Sequence, residues 1–281
     1  MKKIISIILV LVLVMGVVSA LTACNDNNND KDYITVGLEC GYAPYNWTQT
    51  DDSNGAVKIY NADGYANGYD IMIAKKIAQS LGKKLRVVKY KWEALVPAVA
   101  SGTLDFIIAG MSPTAERKTA IDFTDVYYNS KIVIVVRKDG AFASAANLDD
   151  FNGAKIVAQL GTFHETALQE QGPDHGIIVQ TSLDSFPAMI NALKSRAVDG
   201  YLAEEPGAVA DCAANSEFTY IHLENNTTGF TASEEDTAIA IGLKKGSKYK
   251  EAINAALANI SEQERLNMMN EATELSKEQV G

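Results

Sequence analysis

The chain reads as an α/β protein with largely parallel sheets arranged as two lobes, and three observations carry that reading. From Tyr33 onward, short apolar strands alternate with segments of helical periodicity, the pattern of a chain that crosses back and forth over a parallel sheet. The alternation restarts after Lys138-Asp139-Gly140. A weak echo accompanies the restart. Pro97-Ala98 ahead of Leu104-Asp105-Phe106-Ile107-Ile108-Ala109 is matched by Pro187-Ala188 ahead of Val198-Asp199-Gly200-Tyr201-Leu202-Ala203, a helix followed by Asp and a buried-type strand in each half.

Residues 1–23 stand apart from this pattern. Lys2-Lys3 precede an apolar run over 4–18, and small residues lead up to Ala23. A positive start, a hydrophobic stretch short of the roughly 20 residues of a membrane span, and a small-residue exit describe a secretory leader. Cys24 follows, and Asn25-Asp26-Asn27-Asn28-Asn29-Asp30 has no apolar side chain to bury, so 24–32 reads as a disordered tether.

The folded part begins at Tyr33, with a strand over 34–38. A helix over 70–81 places Ile71, Ala74, Ala78 and Leu81 on one stripe, and Gly82 stands where a helix end needs a residue free to take positive φ. A second helix over 92–101 is closed by Gly102, and strands are predicted over 105–109 and 132–136. The second half gives a strand over 155–159, a helix over 163–171 closed by Gly172, a strand over 177–180, a helix over 185–195 and a strand over 198–203. A late strand over 237–243 precedes helices over 247–257 and 261–275. If that strand rejoins the first lobe, lobe 1 is 33–135 plus 236–281 and lobe 2 is 136–235. The predicted site then lies between them, since ligands favour domain interfaces and the carboxyl ends of parallel strands.

Charge and composition exclude several classes. The 25 Lys and Arg against 35 Asp and Glu give a net charge of −10, and loss of Lys2 and Lys3 with the leader makes it −12. A surface of that sign repels nucleic acid, and no nucleic-acid partner is expected. Three cysteines cannot build a disulfide framework, three scattered histidines argue against a metal site, and no phosphate loop, nucleophile elbow or His-Glu-x-x-His helix is present. Neither metal nor cofactor is expected.

Five motifs occur in an order more specific than any one of them: Gly37-Leu38-Glu39-Cys40-Gly41-Tyr42-Ala43-Pro44-Tyr45, Gly68-Tyr69-Asp70, Trp92-Glu93-Ala94-Leu95-Val96-Pro97, Gly110-Met111-Ser112-Pro113-Thr114-Ala115-Glu116-Arg117 and Gln159-Leu160-Gly161-Thr162. Together they resemble the polar amino-acid-binding lipoproteins of ABC transporters, solute-binding protein family 3, over nearly the whole chain after the leader. Leu21-Thr22-Ala23-Cys24 is similar to a bacterial lipobox, which implies cleavage before Cys24 and attachment of lipid to its sulfur. The resemblance implies a two-lobed type II periplasmic-binding-protein fold, each lobe a mostly parallel sheet flanked by helices, with a two-strand hinge. It implies a monomer, lipid-anchored on the extracytoplasmic face of the membrane, that passes a free amino acid to an ABC permease and is not an enzyme.

The site follows from the residues and from the resemblance together. The segment 112–117 leaves a buried strand and opens a helix, whose first N–H groups have no partner within the helix. Arg117 adds a planar fork that matches a carboxylate. The resemblance gives Arg117 and Ser112 the ligand α-carboxylate, and Gly110 the α-ammonium through its carbonyl. Gly161-Thr162 repeats the device in the second lobe with amides and the Thr162 hydroxyl, while Phe163, where relatives carry a hydroxyl residue, can offer only its N–H. Glu204 stands where the family has an aspartate for the α-ammonium, with Glu205 as its rival. Tyr42 and Trp92 flank the ligand side chain, and Glu39 reaches its far end, which points to a basic amino acid.

Two features depart from the family pattern: a polar insert over 46–67, expected as a flap or a surface loop, and C-terminal helices without the aromatic ending common in relatives. Cys40 and Cys212 are expected as free thiols in different lobes. Two other functions share the fold: a cyclohexadienyl dehydratase-like enzyme and a sensory ligand-binding module.

Overall fold

The computed structural model describes residues 32–279. The leader, Cys24 and all but the last residue of the tether lie outside them. In chain order the first lobe contains β1 (Tyr33–Leu38), β2 (Gly41–Tyr42), β3 (Asn46–Gln49), β4 (Val57–Lys58), β5 (Tyr65–Asn67), α1 (Tyr69–Ser80), β6 (Lys84–Lys89), α2 (Trp92–Ser101), β7 (Phe106–Ile107), α3 (Ala115–Ala120) and β8 (Asp122–Asn129). The second lobe follows with β9 (Ile132–Arg137), β10 (Lys155–Val157), α4 (Phe163–Gln171), β11 (Ile178–Val179), α5 (Phe186–Lys194), β12 (Gly200–Glu204), α6 (Glu205–Ala214) and β13 (Phe218–His222). The chain returns through α7 (Glu234–Thr237) to β14 (Ala238–Leu243), α8 (Lys250–Ala258) and α9 (Glu262–Gln279).

Each lobe is built on a five-stranded sheet, in the orders β6-β1-β7-β14-β8 and β11-β10-β12-β9-β13. In both, the first three strands run parallel and the last two junctions are antiparallel. The two halves thus share one plan of strand directions. The chain changes sheet between β8 and β9, and again between β13 and β14 by way of α7. The two crossings touch, since Ser130 N–H donates to the Thr237 carbonyl at 2.9 Å. The first crossing falls at 130–131, not at the 135–136 expected. Residues 132–135 belong to β9, which pairs with both β12 and β13 in the second sheet.

Local signals account for the best-defined helices. Leu95, Ala98 and Val99 are buried along α2, which ends at Gly102 with φ 86°. Gly172 does not close α4. It sits at φ −55° and leads into a 3-10 turn, and the left-handed residue is Gly176 at φ 71°. The 46–67 insert is neither flap nor loose loop. Its strands β3, β4 and β5 join β2 in an antiparallel sheet, and Trp47, Ile59 and Ala66 are buried in the first lobe.

The main core spans the first lobe and, through Tyr42, Phe186 and Tyr201, continues across the cleft. A separate cluster with Ile134, Phe151, Ile156 and Leu202 fills the second lobe. Cys40 and Cys212 are free. No helix of the described residues is long and apolar enough to cross a membrane.

Candidate ligand-binding site

The strand ends of both lobes converge on a narrow cleft lined by Tyr42, Trp92, Gly110, Ser112, Arg117, Gln159, Thr162, Phe163, His164, Phe186, Glu204 and Asp236. Of the residues singled out from the sequence, Tyr42, Trp92, Gly110, Ser112, Arg117, Thr162, Phe163 and Glu204 are on its wall, and Glu39, Gly161 and Glu205 are not.

From the first lobe, Thr114 caps α3 by accepting from the Arg117 N–H at 3.3 Å. Arg117 then reaches into the cleft. Its Nη1 donates to the Ser112 carbonyl at 2.9 Å, its Nη2 to the Gly161 carbonyl of the second lobe at 3.0 Å, and it lies 5.1 Å from the Trp92 ring centroid. Its partners are neutral carbonyls and a π-face, with no carboxylate within ion-pair distance among the described residues. Burial lowers its pKa to about 10, so it stays cationic at neutral pH. A half-buried guanidinium held this way retains its capacity for a planar anion. Gly110 takes φ 60°, and a Cβ there would meet the Tyr45 ring at 3.3 Å. Ser112 Oγ donates to the Asp236 carbonyl at 2.8 Å, which ties this loop to the returning crossing.

From the second lobe, Thr162 is the N-cap of α4. Its hydroxyl accepts from Glu165 N–H at 3.3 Å and donates to the Gln159 carbonyl at 2.7 Å, so it is engaged in capping. The Gly161 N–H, also expected to face the ligand, donates to Glu165 Oε2 at 2.7 Å. Glu204 ends β12, is buried, and accepts from the Tyr42 hydroxyl of the first lobe. His164 Nε2 lies 3.6 Å from its other oxygen. Burial pushes the Glu204 carboxyl up to about 8, and burial together with the Arg117 charge pushes the His164 imidazole down to about 4. Of the acidic pair, Glu204 faces the cleft. Glu205 turns outward, with its carboxylate 3.7 Å from His222.

The aromatic walls differ from expectation. Tyr42 stacks on Phe186 of the second lobe, with centroids 3.9 Å apart at 12°, and Trp92 Nε1 donates to the Gly161 carbonyl at 3.0 Å. Glu39 stands behind Gln159, whose Nε2 lies 3.0 and 3.1 Å from its two oxygens. The far end of the cleft therefore presents an amide, with the carboxylate behind it. Gln159 opens the Gln159-Leu160-Gly161-Thr162 motif and His164 adjoins Phe163, so local sequence points to both. Phe186 and Asp236 come to the cleft only through the fold. No group of three His, Cys, Asp or Glu among the described residues is placed to hold a metal ion.

A cleft between two matched α/β lobes, with a cation on one wall and a carboxyl on the other, defines a solute-binding protein. The family model of the bacterial extracellular solute-binding proteins, family 3, matches residues 34–272, and the chain belongs to that family. The arginine-binding extracellular protein ArtP of Bacillus subtilis is 27% identical over 261 residues, 90% of this chain and 92% of the relative. The glutamine-binding protein GlnH of an ABC transporter, also of B. subtilis, is 29% identical over 200 residues, 70% and 68% of the two chains. Among solved structures, an amino acid ABC transporter substrate-binding protein of Streptococcus pneumoniae bound to L-arginine is similar with a TM-score of 0.75 and 27% identity, covering 87% of this chain and 95% of that one.

Proposed function

We propose that this protein is an extracytoplasmic receptor that captures one free amino acid between its lobes and delivers it to an ABC permease. The observation that carries the reading is the pair of opposite groups on one cleft. Among the described residues, Arg117 is free of any carboxylate partner within ion-pair distance, and Glu204 is buried with no cation but a neutral imidazole beside it. An α-carboxylate and an α-ammonium satisfy both at once, and no monovalent anion or cation does. Relatives that bind arginine and glutamine support the class of ligand. Because the two charges are offered by different lobes, the ligand binds the closed hinge better than the open one, and that difference shifts the population. Cys24 supplies a lipid anchor to the membrane, the protein acts as a monomer, and it is not an enzyme. A thermal-shift screen against the twenty amino acids plus ornithine, citrulline and cystine tests this, since a ligand at 100 times its dissociation constant stabilises by about 2.7 kcal/mol. A flat screen would sink the proposal.

A second reading has one observation in its favour. A carboxyl pushed up to about 8 is a competent general acid, as a cyclohexadienyl dehydratase-like reaction needs. Turnover of prephenate or arogenate by the purified protein separates the two readings.

A further inference from the structure

The amide of Gln159 is the polar group of the cleft whose orientation the protein dictates. Gln159 enters from the second lobe just beyond β10, and Glu39 from the first lobe just beyond β1. Besides the two Glu39 oxygens, Gln159 Nε2 lies 3.2 Å from the Asp184 carbonyl. The Asp184 carbonyl can only accept, and so can both Glu39 oxygens once that carboxyl is ionised, above about pH 7. The opposite amide orientation would set Oε1 against three acceptor oxygens in a site that is 2% exposed, where an unmet polar group is costly. Nε2 is therefore held toward Glu39 and Asp184. Gln159 lines the cleft, and with Nε2 engaged its remaining side-chain polar atom is Oε1.

We infer that Gln159 Oε1 reads the ligand side chain and that Glu39 acts through it as a positioning residue, so that the cleft selects an amino acid whose side chain carries an N–H donor over one ending in a carboxylate. The inference rests on the amino-acid reading above and narrows it. An amide, imidazole or guanidinium satisfies Oε1, and each is a flat group of the kind that the rings lining the same cleft, Tyr42 and Trp92 from the first lobe and Phe186 from the second, accommodate. A side-chain carboxylate would face an acceptor, leaving both groups unpaired. Discrimination by an unpaired buried group exceeds discrimination by size. Glu39, expected to touch the ligand, instead sets which end of the amide the ligand meets.

Glutamine and glutamate form the decisive ligand pair, being nearly isosteric, with methionine as an apolar control and arginine and histidine as further N–H donors. Titration calorimetry on the purified protein is expected to place glutamate at least about tenfold below glutamine. Gln159→Leu should lower the ratio of glutamine to methionine affinity by about tenfold. Gln159→Glu, which keeps size and polarity, should move the order toward arginine. Glu39→Gln should narrow the gap between glutamine and glutamate, because the amide at 159 could then turn round. A ranking indifferent to both changes at 159, or a wild type that takes glutamate or methionine as tightly as every N–H-bearing side chain, overturns this inference and leaves the receptor reading standing. A wild type that binds no amino acid overturns both.

Discussion

The two lobes share a plan of strands but meet the cleft with groups that behave oppositely toward water and protons. Residues 33–131 and 234–281 carry 17 basic and 19 acidic side chains, net −2, whereas 132–233 carry 5 and 13, net −8. The nearly neutral lobe contributes the cation and the acidic lobe the carboxyl. Burial pulls each toward its neutral form, with unequal consequences. Arg117, lowered to about 10, remains charged at every physiological pH. Glu204, raised to about 8, holds its proton at neutral pH until a cation arrives. On the proposed reading, carboxylate capture by the first lobe is therefore indifferent to pH, and ammonium capture by the second is coupled to loss of a proton.

The largest expected effect breaks the first half of that comparison. Arg117→Ala should cost about 3–5 kcal/mol of amino-acid affinity, because the ligand carboxylate would be left buried without its partner. The same side chain bridges to Gly161, so closure loses a contact as well. Calorimetry returning an unchanged affinity would remove Arg117 from the site.

Next in size is the second half. Glu204→Gln should cost about 2–3 kcal/mol and abolish the proton coupling. The groups that face Glu204 are Tyr42, His164 and, through His164, Arg117. Glu205 and His222 lie on its outer side. A bound ammonium favours the ionised carboxylate and lowers its pKa, so affinity should rise with pH up to about 8, by at most about tenfold per unit. Titrations in two buffers of different ionisation heat would report up to one proton released per ligand near neutral pH, and none in Glu204→Gln.

Both lobes then predict an inverted dependence of stability on pH. Burial raises Glu39, Asp70 and Asp211 to about 7 and Glu204 to about 8. The folded state keeps protons that the unfolded chain gives up near 4, so these groups lower stability as pH climbs from about 4.5 to 8. His164, lowered to about 4, opposes them below 6.5. Above 6.5 nothing in this set offsets the carboxyls, and the melting temperature should fall between pH 6.5 and 8.5. Asp211→Asn, which keeps the acceptor for Tyr201 Oη now at 2.6 Å, should flatten the slope, while a melting temperature that rises over that range contradicts the burial of these groups.

How much of this the sequence carries depends on whether a signal is local. The helix over 92–101 is legible to the residue because its stripe and its closing glycine lie within one turn of each other, and Thr162 announces the start of α4 because a cap acts three residues away. Strands β6, β8 and β13 and the small sheet of β2–β5 are not legible in this way. Strands β8 and β13 lie beside the crossings, where each borders a partner from a distant part of the chain. The same distinction holds in the cleft. Arg117 follows from a motif and Glu204 from its place at the end of a predicted strand, whereas Phe186 meets Tyr42 across 144 positions of sequence, and the shielding of Glu39 by Gln159 is a contact between lobes that no spacing encodes.

The smallest effect isolates closure from ligand chemistry. The Gly161 carbonyl, in the second lobe, accepts from both Trp92 Nε1 and Arg117 Nη2 in the first, at 3.0 Å each. Trp92→Phe removes one of these donors and keeps an aromatic face for the guanidinium. The carbonyl retains its other partner, so the cost is that of one neutral hydrogen bond, about 0.5–1.5 kcal/mol. Because the lost bond joins the lobes, the cost should fall on the closed state, raising the dissociation constant about two- to tenfold with little change in the ranking of ligands. Small-angle scattering at saturating ligand should still give the compact form, and the unliganded protein should become more open. A changed ranking with unchanged compaction would instead make Trp92 a reader of the side chain, and would return to the first lobe a selectivity assigned here to Gln159 of the second.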